Sequence, residues 1–81
     1  MKLCDTVVQM NSTDYKERFL AEYNQLTIRL TGLKNMLAKW DSGNLDFTPT
    51  CPRSIYDFQV KSMTEYKTVL EARAAIEGIP L

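Results

Sequence analysis

From Phe19 to Trp40 the apolar residues fall at Phe19, Tyr23, Leu26, Leu30, Leu33, Leu37 and Trp40, steps of four and three without a break. That spacing lines one face of a long amphipathic helix. The start is marked by Asp14, whose carboxylate can accept from backbone amides while Glu17 reaches back, with Thr13 as the alternative cap. The run stops at Asp41-Ser42-Gly43-Asn44, where Gly43 is suited to a left-handed C-terminal cap. In the connector, Leu45 and Phe47 are expected to fold over the open end beside Trp40, and Thr48-Pro49-Thr50 keeps the chain extended. Pro52 fits the first turn of a second helix, capped by Thr50 or Cys51, and Gly78 followed by Pro80 ends it.

The second helix carries Tyr56, Gln59, Met63, Tyr66, Leu70, Arg73 and Glu77 at heptad positions, flanked by Ile55, Phe58, Val69 and Ile76. This seam is wetter than the first. The spacing therefore predicts an all-α chain: an N-terminal arm at residues 1–13, then an antiparallel helical hairpin at 14–81. Its parts are a helix over about 14–41, a connector at 42–51 and a helix over about 52–77. Two helices bury only one stripe each, so the hairpins are expected to assemble as a homo-oligomeric bundle. The arm, with Leu3, Val7, Val8 and Met10, either packs on its own hairpin or crosses to a partner. Leu20, Asn24, Ile28 and Gly32, at four-residue spacing, form a second face on the first helix. Gly32 is either a close-approach site or simply tolerated.

Charge and residue types exclude several functions. Ten Lys and Arg balance ten Asp and Glu, which argues against DNA or RNA binding by bulk charge. There is no His, the commonest general base and metal ligand, and Cys4 and Cys51 alone cannot build a four-ligand zinc site. No glycine-rich phosphate loop or nucleophile elbow occurs. The chain is thus expected to be neither an enzyme nor a holder of a metal or cofactor. No apolar run approaches the roughly 20 residues of a membrane span. A cytoplasmic protein with two reduced thiols is expected.

The informative residues are polar ones in or beside the apolar seams: Arg18, Glu22 and Arg29 on the first helix, and Gln59, Tyr66 and Arg73 on the second. Buried charge is costly unless paired or used. Antiparallel packing should bring Arg73 and Tyr66 beside Arg18, Glu22 and Tyr15 in one polar cluster. Arginine forks beside aromatic faces suit a phosphate and a stacked base, and they equally suit an Arg73–Glu22 ion pair. Glu22 is also within reach of Arg18 and Arg29 along its own helix. Arg53 stands at a helix N-terminus, where free amides receive anions, or is a solvated surface arginine. Trp40, Phe47 and Tyr56 make either core packing or a stacking wall.

The stretches DYKERFLAEYNQL, WDSGNLDFTPTCP and FQVKSMTEYKTVLEARAAIEG resemble a family of short phage and prophage proteins named after a product of a crAss-like phage. The resemblance covers about Asp14 to Gly78. It rests on Tyr15, Arg18, Glu22, Gln59, Met63, Tyr66, Leu70 and Arg73. By size and hairpin architecture the chain also looks like the phage sponges that hold nucleotide signals of CBASS and Thoeris immunity away from their effectors. What the resemblance implies is an anti-defence protein of the bacterial host cytoplasm, oligomeric, that sequesters a cyclic ADP-ribose-type signal or a cyclic dinucleotide. Arg18, Arg73, Tyr66, Glu22, Gln59, Tyr15 and Arg53 are its candidate ligand-binding residues. The alternatives are a protein-binding inhibitor of a host defence protein, contacting it through Leu20, Ile28 and Met36, or a structural helical accessory.

Overall fold

In the computed structural model, which describes residues 1–81, a 3-10 turn at Leu3–Thr6 leads into a short helix α1 (Val7–Met10). Two long helices follow, α2 (Tyr15–Asp41) and α3 (Arg53–Glu77). The first starts where the sequence expects. Asp14 accepts from the Lys16 amide at 2.9 Å. The other half of the expected capping box is replaced: the Asp14 amide donates to the Ser12 hydroxyl at 3.0 Å, so Glu17 is not needed there. At the far end Gly43 takes φ 76°, and the Asn44 amide donates back to the Lys39 carbonyl at 2.9 Å.

The second helix starts one residue later than its proline suggests. Pro52 is the N-cap, with extended ψ of 145°, and no side chain caps it, so neither Thr50 nor Cys51 takes that role. Its C-terminus is a left-handed Gly78, φ 71°, after which the Ile79 amide donates to the Ala74 carbonyl at 2.9 Å. This closure tucks Ile79 into the core at 5% exposure.

The two long helices run antiparallel. Tyr15 bonds Glu77, Tyr23 bonds Glu71 at 2.9 Å, and Asp41 bonds Arg53, so each step up α2 is a step down α3. The core is Phe19, Leu26, Leu70, Ala74 and Ile79, with Leu20, Tyr23 and Met63 around it. It sits towards the start of α2 and the end of α3. Only nine of 81 residues are buried, so the single chain has little interior of its own. The buried line of α3 runs through Met63, Leu70 and Ala74, while Gln59, Tyr66 and Arg73 stand exposed on its flank.

The connector end is held differently from expectation. Phe47 is 55% exposed and does not close over Trp40. Instead Arg53 donates to Asp41 at 2.5 Å and to Asp57 at 3.0 Å, and its guanidinium lies 5.3 Å from the centre of the Trp40 ring. Trp40 in turn meets Tyr56 edge-on, with centroids 6.1 Å apart. Of the two positions open to the arm, it takes its own hairpin: both of its turns pack on α2, and neither reaches α3. No helix is long and apolar enough to cross a membrane.

Candidate functional site

Residues 18, 22, 25 and 29 repeat in steps of four, three and four, one position before the apolar residues 19, 23, 26 and 30. On a helix this puts a polar track directly beside the buried seam. The track forms the floor of a cleft of about 450 Å³, within the usual range for a small-molecule site. Arg18, Ala21, Glu22, Gln25, Leu26 and Arg29 of α2 line it, with Met10 of the arm on one side and Tyr66 of α3 on the other.

Each wall is fixed by contacts to the floor. The Tyr66 hydroxyl donates to the Glu22 carboxylate in a short hydrogen bond, which ties α3 to α2. Gln25 donates through its amide to the Thr6 hydroxyl at 3.0 Å and contacts the Met10 sulfur at 3.4 Å. Thr6, 1% exposed, is anchored in turn by its bond to the Leu3 carbonyl at 2.7 Å. Arg18 gives one N–H to the Ser12 carbonyl at 2.9 Å, leaving most of its five donors free. Arg29 joins none of the three ion pairs, which are Arg53–Asp41, Arg53–Asp57 and Arg73–Glu77.

The expected single polar cluster is thus two clusters. Arg18, Glu22 and Tyr66 meet in the cleft. Arg73 and Tyr15 do not: Arg73 donates to the Tyr15 hydroxyl at 2.6 Å and to Glu77 at 3.3 Å, and it lies 5.0 Å over the Phe19 ring. Desolvation opposes the Arg73 charge there, but Tyr15 and Glu77 outweigh it and raise its pKa. The Arg73–Glu22 pair is absent because each group has a nearer partner. Gln59 is exposed and outside the cleft lining. Arg53 is the clasp at the opposite end, where its hydrogen bond holds the Asp41 carboxyl below the ordinary carboxylate value. Arg29, Gln25 and Met10 line the cleft without having been singled out as ligand-binding residues; the 18/22/25/29 spacing was the signal for the first two.

Chemically the cleft offers two guanidinium groups, a carboxylate, an amide and a phenol over the apolar Ala21, Leu26 and Met10. Arg18 and Arg29 are eleven residues apart, about 16 Å along the helix, so they stand at the two ends of the cleft. A protein-family model described as Sequestin matches residues 13–76. No curated protein and no solved structure matches the chain.

Proposed function

The chain belongs to the Sequestin family, and from that premise we propose that it binds a nucleotide immune signal, of the cyclic ADP-ribose type or a cyclic dinucleotide, and sequesters it without cleavage. The observation that carries this reading is the pairing of a free guanidinium, Arg29, with Tyr66 and Glu22 across one cleft. Each group suits one part of a nucleotide. Arg29 and the unused donors of Arg18 take phosphate oxygens. The Tyr66 ring offers a stacking face for the base, and the Glu22 carboxylate accepts from ribose hydroxyls. Ala21 and Leu26 exclude water beneath, and Met10 offers an apolar side wall.

Nothing in this assignment activates a nucleophile, and sequestration asks for none. The family name supports retention of a ligand. The working site is the cytoplasm of an infected bacterial cell, and a second copy of the chain completes the enclosure of a cleft that the monomer leaves open. Native mass spectrometry of the purified protein, alone and mixed with a panel of cyclic ADP-ribose isomers and cyclic dinucleotides, tests the proposal. A fixed gain of intact ligand mass is expected. The absence of any gain across the panel at micromolar protein refutes it.

A further inference from the structure

Helix α3 has a second apolar line that meets nothing. Ile55, Phe58, Val69 and Ile76 are 56%, 69%, 54% and 85% exposed. With Ser62, Glu65 and Ala72 they fill positions 55, 58, 62, 65, 69, 72 and 76, three heptads in register. The line α3 presents to α2 is a different one, and the arm does not reach α3. We propose that this stripe is a self-association surface, on which α3 packs antiparallel against α3 of a second copy about a two-fold axis passing between Glu65 and Tyr66.

A sustained heptad period fits a helix as occupant, because knobs at that spacing seat between the residues of a facing helix. The order of residues points to this chain's own α3. In an antiparallel pair, residues equidistant from the axis stand at the same height. Ile55 then faces the second copy's Ile76, and Ser62 faces the second copy's Val69. Phe58 faces the second copy's Arg73, a guanidinium that already lies over one aromatic ring. Tyr66, whose hydroxyl is committed to Glu22, faces the second copy's Glu65 at the axis. No like charges oppose each other, and the chain's net charge of zero sets up no general repulsion.

The stripe runs from Ile55 to Ile76, about 32 Å of helix, and at a helix width of about 10 Å it covers roughly 320 Å² in projection, at the small end of specific interfaces, so the association is expected to depend on concentration. Tyr66 lies between the stripe and the cleft, so the pairing sets the two clefts beside the axis. The inference deepens the proposed sequestration site, but its own evidence is the stripe.

Sedimentation equilibrium of the full chain should give twice its 9.3 kDa mass. Phe58→Glu, with its helical circular dichroism retained, should weaken association by about tenfold or more. Disulfide mapping in a Cys4→Ser, Cys51→Ser background gives the orientation without relying on that variant. Glu65→Cys should cross-link to itself under mild oxidation. Ile76→Cys should not, because its two copies lie about 30 Å apart, yet it should cross-link to Ile55→Cys when the two are mixed. A chain mass of one protomer at every concentration, a self-linking Ile76→Cys, or a folded Phe58→Glu that keeps the doubled mass overturns the proposal. A monomer that still gains nucleotide mass refutes the interface alone. A dimer that gains none refutes the ligand alone.

Discussion

Replacing Arg29 by alanine isolates ligand recognition from folding. In the free protein this guanidinium enters no ion pair, and it lies on the exposed side of α2. Its removal deletes no partner, and alanine is at least as good a helix former, so stability should change by no more than about 0.5 kcal/mol. Binding is another matter. A charge-assisted hydrogen bond to a phosphate contributes about 1.5–3 kcal/mol, which at about 1.4 kcal/mol per decade is a loss of roughly 10- to 150-fold in Kd. Isothermal titration calorimetry with whichever panel nucleotide binds the parent protein measures the loss, and thermal melting in parallel measures stability. Binding within threefold of the parent by Arg29→Ala would refute a phosphate contact at Arg29. A variant that melts many degrees lower would show instead that Arg29 is structural.

Leu70 is fully buried between the two long helices, so Leu70→Ala should cost about 2–5 kcal/mol, a large share of an 81-residue chain's stability, and lower Tm by ten degrees or more in calorimetry. Gly32 has nothing within 4 Å of an added Cβ, so Gly32→Ala should raise Tm by a few degrees; a fall would mean that another backbone does approach it. The Asp41 carboxyl, hydrogen-bonded by Arg53, should titrate below 3.8 in a carbon-detected NMR experiment. Its contribution to stability is therefore present above the unfolded value and is lost as pH falls through the folded one, a loss that Asp41→Asn should abolish. The Tyr23 hydroxyl, raised by burial and by its bond to Glu71, should ionise above 10.0 in an ultraviolet titration, later than an ordinary tyrosine.

The helices were legible because their signals are local. A heptad seam, an aspartate at the N-cap and glycines at both C-termini act within a few residues, and the structure uses Asp14, Gly43 and Gly78 as the sequence suggests. Antiparallel order followed from the short connector. The partners of long side chains were less legible, because the reach of an arginine exceeds one helical turn and several acceptors compete for it. Arg73 chose Glu77 on its own helix over Glu22 across the hairpin, and Arg53 chose Asp41 and Asp57 over a free position at the helix start. The arm was hidden for another reason. Val7–Met10 is too short for periodicity to declare a helix, and its placement depends on Asn24 finding Gln9 and Gln25 finding Thr6 over fifteen or more residues.

The two turns of the arm and α3 each pack on α2 and not on each other. The cleft between them thus has two walls that are attached to a common floor by separate contacts: Gln25 to Thr6 on one side, Glu22 to Tyr66 on the other. Such a layout lets the walls diverge independently in descent. Changes in the first ten residues can reshape one side of the site while the helix that supplies the tyrosine keeps its seat. A substitution in the arm can thus alter one wall of the cleft while the packing of α3 on α2 is left in place.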